Sequence, residues 1–310
     1  MSTWQALAAD PCEVGESPFW HPNEQMLYWV DIPSKKIFRS NVFMGTVESW
    51  AMVAPHDLEP GCIAPARGGG LVIALRDGIY RARRWGGPLE KLAAALHNTK
   101  TSRFNDGKCD TLGRFWAGTI YEPRDAREAA LYCLDRRDDG HAPVLARMAG
   151  GATVGNGLAW SADGRTLYWA DTTAHVVHAW DWNASTNTLS RQRVFRQFPL
   201  KPPGWQPGQP GYGGRPDGAA VDSQGNYWVA MFEGRRVLKL SPAGEVLSEI
   251  ATPVQCPTMV CFGGDDLQTL YLTTARHGRP AAELEAMPQS GGVFSMRVDV
   301  PGLPVNFFAG

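Results

Sequence analysis

The sequence has no long apolar run, no excess of basic charge, no clustered cysteines and almost no helix-forming stretch. Each absence removes a class of function. A bilayer-spanning helix needs ~20 apolar residues in a row, so no membrane role is expected. Lys and Arg total 30 against 31 Asp and Glu, a net charge of −1. Neutralising phosphates needs a basic surface, so no nucleic-acid partner is expected either. Met1–Asp10 lacks a basic segment followed by an apolar one and does not read as a secretory signal. Cys12, Cys62, Cys109, Cys133, Cys256 and Cys261 are scattered and form no CxxC. They read as free, mostly buried thiols of a cytoplasmic protein.

Familiar catalytic signatures are missing too. Gly15-Glu16-Ser17-Pro18-Phe19 fails as a nucleophile elbow at its last position. There is no HExxH and no phosphate-cradling glycine loop. His175 and His178 lie three apart in a predicted strand, hence on opposite faces, and make poor partners for one metal. His21, His56, His97, His141 and His277 are isolated and read as surface or satisfied polar residues.

What is present is a succession of short strand-like runs separated by turn residues. Examples are 26–31, 36–40, 70–75, 78–82, 114–119, 130–134, 166–171, 176–180, 227–231, 236–240, 269–274 and 292–296. Strands this short and this regularly spaced indicate an all-β fold. Only 88–96 has the composition of a helix, and it is too brief to assign on that ground.

The runs repeat. Cys109–Trp116 aligns under Val221–Trp228, which sets Asp217 over Asn105. Trp160 over Val221 sets Asn156 at the same position, and Trp20 over Trp160 adds Glu16. Gly61 falls where a further unit would have its anchor, and 258–273 accommodates one more after Asp217. Six strand-rich units predict one domain over 1–310, a six-bladed β-propeller. Ring closure requires a terminal strand, supplied by the segment around Trp4–Ala9 or by Pro304–Phe308.

Equivalent positions of a propeller face one axis, so Glu16, Asn105, Asn156 and Asp217 are expected to converge at one channel mouth. Two carboxylates and two amides form a hard, oxygen-rich set that suits one divalent cation, such as Ca²⁺, Mg²⁺ or Mn²⁺, with Zn²⁺ or Fe²⁺ also compatible. Asn and Asp before Gly are also common in turns, where they bond only to local backbone. Gly61 and Pro257 at or near the same position show that the turn itself does not require an acid or amide. Asp31, Asp106, Asp110 and Asp171 are expected in turns or as supports of the mouth. The segment 199–216 is dense in Pro and Gly and leads into Asp217. It reads as an insertion near the mouth, a lid or a plain loop, with Trp205 and Tyr212 as faces that could stack on a sugar ring.

Several ordered motifs carry a family resemblance. They are Gly15–Trp20, Ser102–Lys108, Arg114–Thr119, Gly155–Ser161, Arg215–Asp222 and Cys256–Gly264. They resemble the gluconolactonase/regucalcin family, and the similarity covers almost the whole chain. The resemblance implies a six-bladed propeller with one divalent cation held by Glu16, Asn156 and Asp217. It implies that Arg103 and Asn105 contact substrate. It also implies a sugar-contacting carboxylate after Ala117-Gly118-Thr119, for which Glu122 is the nearest candidate. The implied reaction is cation-assisted hydrolysis of a sugar lactone, an aldonolactone, with Asp217 as general base. The rival readings are a calcium-binding regulatory propeller without turnover and a protein-interaction propeller.

Overall fold

The computed structural model describes residues 3–7, 10–136 and 143–310. Six four-stranded antiparallel sheets are arranged as blades, so the all-β six-bladed expectation holds. The inner strands are Gly15–His21, Pro60–Pro65, Ser102–Cys109, Gly155–Trp160, Arg215–Val221 and Pro257–Gly263. They are buried almost throughout, because each lies between its own blade and the next. Outer strands such as Thr46–Ala51 and Val246–Ala251 are largely exposed. Burial thus falls from axis to rim, and side-chain hydrophobicity falls with it.

The sequence repeat has a physical basis at the far end of the inner strands of the third and fifth blades. Asp110 accepts from Arg114 Nε at 2.5 Å and from Trp116 Nε1 at 2.9 Å. In the equivalent turn Asp222 accepts from Asn226 Nδ2 and Trp228 Nε1, both at 2.9 Å. A buried carboxylate must be partnered, so each Asp fixes a tight turn and the indole that packs behind it. All six cysteines are buried and free.

The ring closes through its N-terminus. Gln5–Ala6 forms the outermost strand of the sixth blade, pairing with Ser295 and Phe294. Trp4 Nε1 also donates to Ala251 O of the fifth blade at 2.8 Å. Ala8 and Ala9, the end of the expected closing segment, lie outside the described residues. The C-terminal tail does something else. Leu303 N donates to Val221 O at 3.2 Å, and Phe308 N to Pro65 O at 2.8 Å. The tail therefore crosses beneath the channel from the fifth blade to the second. Deleting residues 1–7 removes two cross-strand pairs, the Leu7 N bond to Val293 O and the Trp4 bond, a loss of roughly 3–5 kcal/mol at about 1 kcal/mol per hydrogen bond plus apolar burial. The melting temperature is expected to fall by on the order of 5–10 °C. Calorimetry showing no change would place ring closure elsewhere.

The structure settles the stretch left unassigned above. The helix-like stretch 88–96 contains an outer strand, Leu89–Ala94, because sheet pairing with Gly78–Ala82 outweighs its weak helical propensity. The one α-helix among the described residues is Ala281–Ala286, on the connection between the second and third strands of the last blade.

Candidate active site

Each inner strand shifts register near its start. The shifts fall after Glu16, Pro60, Phe104, Asn156, Pro216 and Pro257. At a bulge the strand bends and re-aims its side chains. Glu16, Asn105, Asn156 and Asp217 sit at or beside these bulges and are all buried. Ser17 follows Glu16 in the left-handed region at φ 50°, and Gly157 follows Asn156 at φ 60°. Their backbone is held from behind. Asp31 accepts from Glu13 N and Val14 N at 2.9 and 3.0 Å. Asp171 does the same for Thr153 N and Val154 N at 3.2 and 3.3 Å. Both aspartates thus support the mouth.

The Asn156 amide has a fixed orientation. Pro216 O can only accept, so Thr172 Oγ1 donates to it at 2.7 Å. Thr172 Oγ1 must then accept from Asn156 Nδ2 at 2.8 Å. This leaves Asn156 Oδ1 facing inward, where Asn105 Nδ2 donates to it at 2.8 Å. Asn105 Oδ1 accepts in turn from Arg103 Nη1 at 2.9 Å. Arg103 is therefore positioned by an amide that is itself positioned.

Glu122 belongs to the same network. Its oxygens accept from Arg76 Nη1 and Nη2, each at 2.9 Å, and Arg103 Nε lies 3.8 Å away. Arg76 also holds Glu59, with contacts of 2.9 and 3.1 Å. The hydrogen bonds from Arg76 hold the Glu122 carboxyl below the usual carboxylate range. It is thus an ionised acceptor at the edge of the mouth.

The deeper carboxylates behave in the opposite way. Burial, then Asp217, then Asp106 push Glu16 well above the usual range. Burial and Asp106 do the same to Asp217. Asp106 is raised by burial, with Lys108 opposing. Asp106 Oδ2 accepts from Leu158 N at 2.8 Å, but its Oδ1 is buried without a partner. The centre of the mouth is therefore short of positive charge.

A hard divalent cation fits that deficit, and Glu16, Asp217 and the inward Oδ1 of Asn156 are the oxygens that could hold it. No three His, Cys, Asp or Glu side chains among the described residues stand close enough to form a site alone. The mouth thus offers two carboxylates and one amide, with Asp106 acting through its field. A separate cavity of about 240 Å³ occupies the channel beyond the cluster. Its lining includes Ile63, Val221, Met259 and Leu303 and no carboxylate. The polar chemistry lies at the mouth.

Sequence reasoning placed Asp106 only as a turn or support residue. Its signal was an acid where the other repeats carry Ser17, Gly157 and Gly218. Arg76 and Thr172 were missed entirely, because their roles arise from contacts between blades. The aromatic residues of 199–216 were misassigned. Trp205 and Tyr212 are buried, edge to face with centroids 5.0 Å apart. Tyr212 Oη bonds to His175 Nε2 at 2.8 Å, and Lys201 Nζ lies 3.0 Å from both oxygens of Glu233. These contacts bury the faces that a sugar would need. His141 lies outside the described residues. No helix among the described residues is long and apolar enough to cross a membrane.

Residues 14–276 match the family model described as the SMP-30/gluconolactonase/LRE-like region. The chain is 43% identical over 308 residues to a 6-deoxy-6-sulfogluconolactonase of Pseudomonas putida, covering 99% of both chains. It is 34% identical over 304 residues to regucalcin of Danio rerio, covering 96% of this chain and 95% of the relative. In structure it is similar to a calcium-binding regucalcin from Agrobacterium tumefaciens, with a TM-score of 0.87 and 22% identity. That likeness covers 99% of this chain and 97% of the other.

Proposed function

The chain belongs to the SMP-30/gluconolactonase/LRE-like family, and from that premise we propose that it hydrolyses a sugar lactone using one divalent cation held by Glu16, Asn156 and Asp217. The observation that carries this reading is the buried mouth itself. Burial and the charges of Asp217 and Asp106 raise the proton affinity of Glu16, burial and Asp106 raise that of Asp217, and one Asp106 oxygen is unpartnered, while Arg103, Asn105 and Glu122 stand ready above.

A bound divalent cation polarises the lactone carbonyl and stabilises charge developing on its oxygen. The rest falls to the chain. Arg103 and Asn105 orient the sugar hydroxyls, and Glu122 accepts from one of them. Asp217 takes a proton from the attacking water as the new C–O bond forms. It returns the proton to the ring oxygen as the acyl C–O bond breaks. In the cation-free protein, burial first and then the charge of Asp106 raise Asp217 well above the usual carboxylate range.

The direct test is to strip the protein with chelator, then add Ca²⁺, Mg²⁺, Mn²⁺, Zn²⁺ and Fe²⁺ singly against a panel of aldonolactones. Activity lost on stripping and restored by one or more cations supports the reading. Full activity in chelator removes the cation from it. Tight calcium binding with no lactone opened under any cation would favour the regulatory alternative.

Arg103→Ala is expected to raise KM by about 10–100-fold, the loss of one or two charge-assisted hydrogen bonds, with kcat changed little. Cation affinity should persist, because Arg103 supplies no ligand oxygen. Steady-state kinetics showing a fall in kcat alone would move Arg103 out of substrate binding.

A further inference from the structure

Arg76 stands in the hairpin turn between Leu71–Leu75 and Gly78–Ala82 of the second blade. Its backbone is pinned there. A carbonyl only accepts, so His97 Nε2 donates to Arg76 O at 3.1 Å. From that turn the guanidinium reaches the third blade and uses every nitrogen. Nε donates to Glu59 Oε2 at 2.9 Å, and Nη2 to Glu59 Oε1 at 3.1 Å. Nη1 and Nη2 donate to the two oxygens of Glu122, each at 2.9 Å. Nη1 also meets Thr99 O at 3.2 Å and Ser102 O, next to Arg103, at 3.4 Å. One guanidinium thus engages all four oxygens of two carboxylates.

Arg103 beside it is engaged on one side only. Its Nη1 donates to Phe104 O at 3.0 Å and to Asn105 Oδ1 at 2.9 Å, which takes up both hydrogens. Its Nε and Nη2 donate no hydrogen bond among the described residues. Nε lies 3.8 Å from Glu122 Oε1, too far for one. This free edge is the one that a carboxylate would grip with both oxygens. Besides Arg76, Arg103 is the only cation within 4 Å of Glu122 among the described residues. Glu122 leaves it alone because Arg76 already holds both of its oxygens.

We infer that Arg76 is a positioning residue: by holding Glu59 and Glu122, it keeps the Nε–Nη2 edge of Arg103 open for a pair of substrate hydroxyl oxygens. The inference rests on the lactonase reading for the identity of the substrate. A sugar lactone carries hydroxyls on neighbouring carbons, and a planar fork can donate to two of them. Without Arg76 the two carboxylates lose their shared counter-charge, and Arg103 is the cation left to take Glu122. A substrate would then have to displace a charged pair before binding. Arg76 has no part in cation binding or proton transfer, so its loss should act on binding and spare the chemistry.

The test compares Arg76→Gln, Glu122→Gln and the double variant with the unmodified protein on an aldonolactone that it opens. Arg76→Gln should raise KM by about 10–100-fold, with kcat changed by less than about 3-fold. In the Glu122→Gln background the same substitution should change KM by less than about 3-fold, because the competing carboxylate is gone. A merely structural Arg76 would give the same loss in both backgrounds. Arg76→Lys should fall between, since it keeps the charge but not the fork that grips both carboxylates. Should Arg76→Gln not fold, Arg76→Lys carries the same comparisons. A crystal structure of the variant supplies a readout that needs no activity. Arg103 Nε should close on Glu122 to about 2.7–2.9 Å. Equal KM losses in both backgrounds, or an unchanged separation between Arg103 and Glu122, would overturn the inference while the lactonase reading stands. If no lactone is opened, that reading fails, and the separation alone decides the role of Arg76.

Discussion

Asp217→Asn is expected to lower kcat by about 10²–10⁴-fold at saturating cation, the range contributed by a positioned general base. Asn keeps the side-chain volume and one oxygen, so occupancy can be restored by raising the cation concentration. It has no basic site for the proton of the attacking water. The lesion should therefore persist when metal analysis shows a filled site, with KM changed much less than kcat. Asp217 is buried, and the neighbouring Asp106 helps to hold its proton affinity high. Of the other buried carboxylates at the mouth, Glu16 is assigned to the cation and Asp106 accepts from Leu158 N through Oδ2. A metal-saturated Asp217→Asn protein turning over at the unmodified rate would reduce Asp217 to a structural role.

The conserved geometry of a propeller makes some of this readable from sequence. Glu16, Asn105, Asn156 and Asp217 could be aligned because each precedes a buried strand that ends in a tight turn, and the turns at Asp110 and Asp222 carry matching indoles. The structure also explains the two blades that lack an acid or amide. A Cβ on Gly61 would stand 2.2 Å from Phe104 O, so no side chain fits there. The backbone of the third blade at Phe104 and Asn105 thus packs directly against this glycine. Thr258 takes the sixth position and donates to Gly15 O at 2.5 Å, pinning the residue beside Glu16. What periodicity could not show was set by contacts between blades. Arg76 reaches Glu122 from 46 residues away. Tyr212 is buried by His175, which lies on another connection. A repeat predicts which positions face the axis, but not which partner each side chain meets there.

The second large effect concerns Glu16. Glu16→Gln is expected to weaken cation binding by at least about 100-fold, because a buried charged ligand is replaced by a neutral one. It should also stabilise the cation-free protein. Burial raises Glu16 first, followed by the charges of Asp217 and Asp106, so the folded form holds its proton more tightly than the unfolded chain does. Between the ordinary carboxylate range near about 4 and the raised folded value, the folded state binds more protons than the unfolded state. Stability of the cation-free protein therefore declines as pH rises through that window and is recovered on acidification. Cation binding reverses the balance by expelling the proton, so affinity should increase with pH. Titration calorimetry in buffers of different ionisation enthalpy should detect that release, and Gln at position 16 should diminish it. Thermal scans in chelator should show the unmodified protein melting lower at neutral than at mildly acidic pH, with a flatter profile for the variant. A pH-independent affinity, or a Gln variant that binds cation as tightly as the unmodified protein, would mean that Glu16 is buried at the mouth without serving as a ligand.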